Sequence, residues 1–232
     1  MFSLDDYFNK GFTLLSLDPL FYNNLYSLLQ QEHYVHDEMR QEKKNIFSPE
    51  WDCEIPFRSI DYYEHSLKYS EPLADLIQNH SEFNFWKMIY GKFNYYSIMI
   101  NKLHQNESMP WHWDGFDSTF LQILIYFGDL PNGTFKVGKL DRCTTISNKE
   151  IPHYYPEKHF DAISENAKFE SITEIEPQPN QAIVLNNLNP LYVHHITEIQ
   201  KDTPRYTIMC GCGFENNFSQ NEFAYNTELF IH

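Results

Sequence analysis

Features that would indicate a nucleic-acid or membrane partner are missing from this 232-residue sequence. Basic residues are few, with 17 Lys and Arg against 32 Asp and Glu, and the formal net charge is −15. An acidic surface repels phosphate backbones and anionic lipids, so we expect neither nucleic acid nor a membrane as a partner. No apolar run reaches the length of about 18 residues that suggests a membrane span. The N-terminal "MFSLDDYFNK" lacks the basic and apolar regions of a signal peptide. These absences predict a cytoplasmic protein.

Cysteine and glycine are also scarce. The four cysteines are Cys53, Cys143, Cys210 and Cys212. They form no CxxC pairs, so the sequence does not indicate a structural zinc site. Cys210 and Cys212 alternate in a predicted strand, and we interpret them as small buried apolar residues. Only 8 glycines accompany 19 Phe and 16 Tyr, a balance that favours strands and a pocket with aromatic walls.

The chain changes its pattern near residue 92. A short strand and a helix are predicted within residues 11–31, where Asp18 is a suitable N-cap and Pro19 a suitable first helical residue. From residue 93 onward, short segments of β-forming residues alternate with Pro, Asn and Gly turns, which is typical of an antiparallel barrel or sandwich. We therefore predict one mostly β domain of the α+β class over residues 1–232. Its parts are a helical buttress with an N-terminal elaboration (1–91), a β core (92–215) and a C-terminal tail (216–232).

The segment "MPWHWDGFDS" (109–118) carries a possible metal site. His112 and Asp114 are two positions apart, so on an extended strand they project to the same side. Divalent iron with open coordination positions is typically held by two histidines and one carboxylate on one face. The third ligand is expected from a distant strand that lies alongside, and the candidates are His194 and His195 in "YVHHITEI". Only one of these two can face the metal, because successive strand residues point to opposite sides.

A possible carboxylate receptor follows eleven residues after His194. Arg205 and Thr207 alternate in "RYT" and therefore share one face of a predicted strand. A buried guanidinium with a hydroxyl beside it can bind a carboxylate through two parallel N–H groups and one O–H group. Together with the candidate metal ligands, this pair suggests a site for a metal ion and an organic acid.

These pieces together resemble the iron(II)/2-oxoglutarate-dependent oxygenases. Their pattern of HxD, a distal histidine and an arginine followed by x-Ser/Thr is matched by "HWD" (112–114), "HHITEI" (194–199) and "RYT" (205–207). The segments "LQILIYFGDLPNGTFKV" (121–137) and "EPQPNQAIVLNN" (176–187) also resemble intervening strands of that family, so the resemblance extends over residues 93–214. It implies a double-stranded β-helix, a jelly-roll or cupin-like core of about eight strands.

The resemblance also implies a set of ligands. Iron(II) would be held by His112, Asp114 and His194, and 2-oxoglutarate and O2 would take the remaining positions. His194 is preferred to His195 because the residues after it better match the family's distal-histidine segment. Arg205 and Thr207 would hold the far carboxylate of 2-oxoglutarate. Two further candidates for contact with this co-substrate are Gln122 and Asn101.

The function implied is that of a dioxygenase that hydroxylates an unactivated C–H of a small molecule or amino acid, with release of succinate and CO2. Asp114 favours hydroxylation or desaturation, since related halogenases carry a small residue in its place. The alternatives are a hydroxylase of protein or peptide side chains, and a non-catalytic, cupin-like metal-binding protein. Asn132-Gly133 stands where the family commonly has Gly-Gly, and we expect Asn132 to adopt a positive φ there.

Overall fold

The computed structural model describes residues 2–32, 35–36, 58–60, 67–91, 93–112, 121–141, 168–187, 189 and 191–214. Its α-helices are α1 (Leu4–Lys10), α2 (Pro19–Gln30), α3 (Leu67–Asn79) and α4 (Asn84–Tyr90). The strands of the first half are β1 (Phe12–Ser16), β2 (Val35–His36), β3 (Arg58–Ile60), β4 (Phe93–Leu103) and β5 (Met109–His112). Those of the second half are β6 (Leu121–Phe127), β7 (Phe135–Leu140), β8 (Phe169–Ile175), β9 (Gln181–Asn186), β10 (Tyr192–Ile196) and β11 (Arg205–Phe214).

The strands form two antiparallel sheets. The larger sheet has the order β1-β9-β6-β11-β4-β3-β2, and the smaller has the order β5-β10-β7-β8. Strands adjacent in each sheet are mostly distant in sequence; β11, for example, lies between β4 and β6. Two antiparallel sheets accompanied by a few helices confirm the predicted mostly β, α+β class.

Strand β6 is buried on both faces, and its alternation separates two cores. Ile123, Ile125 and Phe127 belong to a cluster on the helix side, which includes Leu25 and Trp86. Leu124 and Tyr126 belong to a second cluster between the two sheets, with Phe135 and Val137 of the smaller sheet. The continuous apolar sequence "LQILIYF" is explained by these two covered faces, because a strand buried on both sides needs no polar face.

The N-terminal residues supply helices and also strands. Asp18 caps α2 by accepting hydrogen bonds from the N–H groups of Leu20 and Phe21, as predicted from the Asp-Pro pair. Strand β1 then pairs antiparallel with β9, with Phe12 opposite Leu185, so the N-terminal segment extends the larger sheet. None of the described helices is both long enough and apolar enough to cross a bilayer.

The two cysteines of β11 are buried against the helices. Cys210 and Cys212 are unexposed members of the helix-side cluster, and both are free thiols. Burial raises the pKa of the Cys212 thiol well above its usual value, and the neighbouring Cys210 adds to this shift. The interpretation of this pair as small buried apolar residues is confirmed. Their orientation also leaves the opposite face of β11, with Arg205 and Thr207, directed into the space between the sheets.

Candidate active site

Two buried histidines face each other across the smaller sheet. Strands β5 and β10 pair antiparallel, and the register sets His112 directly opposite His194. Their ring centroids are 4.1 Å apart, and the side chains are only 1% and 4% exposed. Two imidazoles at this separation can direct ring nitrogens at a common metal ion.

A bulge in β5 directs His112 inward. Between the paired positions His112↔His194 and Met109↔Ile196, β5 contains one residue more than β10. The extra residue lets both Met109 and His112 face the inter-sheet space, although strict alternation would put them on opposite faces. Pro110 lies within this bulged segment of an edge strand, where a missing N–H is tolerated.

His195 lies on the other face of β10. Its ring stacks on Trp111, with ring centroids 5.3 Å apart. The Trp111 ring packs in turn against Phe169, with centroids 4.7 Å apart. Partial burial lowers the pKa of His195, an effect that a backbone hydrogen bond with Met109 opposes. The structure therefore brings His194, and not His195, to His112.

Asp114 lies outside the described residues, which end at 112 and resume at 121. Among the residues that the structure describes, no cluster of three or more His, Cys, Asp or Glu side chains could hold a metal ion. His112 and His194 are thus the described part of the predicted ligand set, and Asp114 follows His112 by two residues in sequence.

Arg205 is fully buried in the same inter-sheet space. Its Nη1 donates to the carbonyl oxygens of Asn132 at 2.8 Å and Gly133 at 3.2 Å. The guanidinium lies over the ring of Tyr126, with Cζ 4.7 Å from the centroid. Burial lowers the pKa of Arg205 to about 10, with Tyr126 acting in the opposite direction. The group therefore stays charged at neutral pH.

The other edge of this guanidinium is open. Nε and Nη2 of Arg205 are buried, and neither has a hydrogen-bond partner among the described residues. The same holds for the hydroxyl of Thr207 and the amide oxygen of Asn101, which lie on paired positions of β11 and β4. A buried cation without an anionic partner is unfavourable. The Nε and Nη2 edge has the fork geometry that binds a carboxylate with two parallel hydrogen bonds.

Two aromatic rings connect Arg205 to the histidine pair. The Tyr126 ring under the guanidinium is 5.9 Å from Phe135, and Phe135 is 5.5 Å from His194. The metal-ligand candidates and the carboxylate receptor therefore line one interior, with apolar walls between the two sheets.

No family model and no curated protein matches the sequence, but solved structures match the fold. The prolyl-4-hydroxylase of Pseudomonas putida aligns with a TM-score of 0.54 and 10% identity, over 91% of this chain and 97% of that one. A 2OG-Fe(II) oxygenase family oxidoreductase from Burkholderia pseudomallei aligns with a TM-score of 0.53 and 12% identity, over 93% of this chain and 90% of that one. The epimerase SnoN, solved with Fe3+, alpha ketoglutarate and nogalamycin RO, aligns with a TM-score of 0.57 and 11% identity, over 88% of this chain and 79% of that one.

The fold is that of the iron(II)/2-oxoglutarate-dependent oxygenases. This confirms the predicted double-stranded β-helix, and the two sheets described above are its two halves. At identities of 10–12%, the similarity concerns the fold.

Within this oxygenase fold, Gln122 and Asn101 lie in different places. Asn101 is on the strand position paired with Thr207, beside the Arg205 end. Gln122 lies four residues from Tyr126 along β6, roughly 13 Å at the usual rise of a strand. Its side-chain oxygen accepts a hydrogen bond from Asn187 at 3.2 Å. The structure brings Asn101 to the carboxylate receptor and leaves Gln122 near the opposite end of β6.

Tyr126 and Asn132 also contact Arg205, although the sequence indicated no role at the site for either residue, and the predicted positive φ of Asn132 is wrong. The positive φ in this turn belongs to Gly133, at 75°, and Asn132 is not among the residues with positive φ. The buried side chain of Asn132 instead bonds to the segment before Arg205. Alternation with Leu124 on β6 could have indicated Tyr126, but no local signal indicates the contacts of Asn132.

We expect Gly138→Ala to destabilise the outer face of the smaller sheet. A Cβ on Gly138 would lie 2.5 Å from Phe169 Cδ1 and 3.0 Å from Trp111 Cζ3, so these two aromatic rings would have to shift. Overpacking of this kind lowers the free energy of unfolding by about 1–3 kcal/mol. Denaturant unfolding measures the change, with Ser171→Ala, an exposed position on β8, as a control expected to stay within about 0.5 kcal/mol. Equal stability of Gly138→Ala and wild type would contradict this account of the packing.

Proposed function

We propose that this protein is an iron(II)- and 2-oxoglutarate-dependent oxygenase. The observation that carries the proposal is the open Nε and Nη2 edge of the buried Arg205, beside the Thr207 hydroxyl and in the same interior as the His112–His194 pair. A simple metal-binding cupin has no need of a buried cationic receptor for a carboxylate, so the non-catalytic alternative is disfavoured.

The donor set fits the cofactors. His112, His194 and Asp114 would hold iron(II), a set of two histidines and a carboxylate that leaves positions open. Arg205 and Thr207 would bind the far carboxylate of 2-oxoglutarate, with Asn101 beside them. When bound, iron(II) and 2-oxoglutarate supply, with O2, an oxidant strong enough to attack an unactivated C–H, and succinate and CO2 are released. The chain's own tasks are to orient the co-substrate and to exclude water from a largely apolar interior.

The proposed reaction is hydroxylation of a C–H bond in a small molecule or amino acid. Asp114 supports hydroxylation, because a carboxylate at this position leaves no room for a halide. SnoN, solved with nogalamycin RO, is a precedent in this fold for a small-molecule ligand. A peptide substrate is the second candidate, and the net charge of −15 would suit a basic peptide.

Anaerobic addition of iron(II) followed by 2-oxoglutarate tests the proposal. A charge-transfer absorption in the visible range should appear only when both are present, since it requires the keto acid to bind the metal. Under air, succinate release across panels of amino acids, small metabolites and basic peptides should then identify the substrate class. If neither the absorption nor succinate is observed, the proposed function is wrong.

A further inference from the structure

Asn132 ties together two loops that meet at Arg205. Its side-chain oxygen accepts hydrogen bonds from the backbone N–H groups of Gln200 and Lys201, at 3.1 and 2.9 Å. Its side-chain nitrogen donates to the carbonyl of Thr203 at 3.0 Å. All three partners belong to the connection between β10 and β11, which ends at Arg205. The side chain is 2% exposed, so water does not readily replace these bonds.

The main chain of the same residue fixes the guanidinium. Nη1 of Arg205 donates to the carbonyls of both Asn132 and Gly133, so this nitrogen is held by the main chain of the turn. Gly133 permits this close approach, because a Cβ there would lie 3.1 Å from Nη1 and the backbone has a φ of 75°. The Nη1 end of the guanidinium is therefore bound by the loop, and the Nε and Nη2 edge is left for a ligand.

We propose that Asn132 is a positioning residue for Arg205 and sets the preference of the site for 2-oxo acids with a second carboxylate. Its side chain holds the loop before Arg205, and its carbonyl holds Nη1, so the Nε and Nη2 fork is kept at a fixed angle over the Tyr126 ring. This inference rests on the proposed function, since it assumes that a keto acid binds beside the metal. It adds a residue that acts through Arg205.

The test compares two keto acids that differ in the far carboxylate. Wild type and Asn132→Ala are titrated anaerobically in the presence of iron(II) with 2-oxoglutarate and with 2-oxobutyrate, which lacks that group, and binding is measured by the visible absorption. We expect Asn132→Ala to weaken 2-oxoglutarate about ten- to a hundredfold, the range found when groups that orient metal ligands are removed. The affinity for 2-oxobutyrate should stay within about twofold of wild type.

Lys201→Met is the matched control. The Lys201 side chain also links the two loops, through the carboxylate and the carbonyl of Asp129, both at 2.9 Å, but this link is exposed and does not involve Arg205. The preference for 2-oxoglutarate should therefore be unchanged in this variant. An equal loss of affinity for both keto acids in Asn132→Ala would mean a general structural role and would overturn the inference.

Hydrogen exchange on the wild-type protein keeps the test valid if Asn132→Ala does not fold. With zinc as a redox-inert metal, 2-oxoglutarate should slow exchange of the Gln200 and Lys201 amides, which donate to Asn132, more than 2-oxobutyrate does. Equal protection by the two acids would contradict the coupling between Asn132 and Arg205. Failure of the wild type to bind either acid would instead disprove the proposed function, so the two failures can be distinguished.

Discussion

Replacing His194 by alanine is expected to remove iron binding and succinate formation together. His194 is buried opposite His112, so its loss removes one of the two imidazoles that would bind the metal. The loss should exceed the roughly 10–100-fold effect that is usual for groups that only orient a ligand. Iron content after anaerobic desalting and succinate release under air measure the two effects, and His112→Ala should behave in the same way.

His195→Ala is the control for this prediction because the same substitution is made one residue further on. His195 stacks on Trp111 on the outer face of the sheet, so its loss should change packing and leave iron binding close to wild type. Thermal unfolding of the metal-free variants separates lost packing from lost binding. If His195→Ala loses iron and His194→Ala keeps it, the register between β5 and β10 described here is incorrect.

The contrast between these histidines also indicates what the sequence could predict. Strands β4 to β11 all lie in the region from residue 93 onward, where β-forming residues and turns predicted strands, because those signals are local. The choice of His194 over His195 came from similarity to a family pattern, and the structure pairs His194 with His112. Strict alternation along β5 could not reveal the bulge, which appears only in its register with β10.

The hydrogen bonds of Asn132 that hold the loop at Arg205 could not be predicted from the sequence, for a related reason. Asn132 bonds to residues 68 to 71 positions away, and no local pattern in "DLPNG" contains those partners. The sequence suggested a positive φ for Asn132, since asparagine tolerates it, but the following glycine adopts that conformation. Local propensity therefore located the turn, while the tertiary contacts determined which residue has which task.

Arg205→Ala is expected to weaken 2-oxoglutarate binding severely while iron binding survives. Removing one partner of a buried ion pair costs on the order of 3–5 kcal/mol. That loss corresponds to about two to four decades in the dissociation constant. Arg205 lies two aromatic rings away from His194, so the metal ligands should be unaffected. Titration of 2-oxoglutarate against the iron-loaded variant measures the loss, and iron content is the internal control.

Two milder variants separate charge from geometry at this receptor. Arg205→Lys keeps a positive charge but lacks the planar fork, so it should bind 2-oxoglutarate more weakly than wild type and more tightly than Arg205→Ala. Thr207→Val removes one hydroxyl with little change of shape and should cost roughly tenfold in affinity or less.

Because the open guanidinium edge is buried, the bound carboxylate should also raise the melting temperature of wild type and not that of Arg205→Ala. A thermal shift of equal size in both proteins would place the co-substrate elsewhere and remove the main support for an oxygenase function.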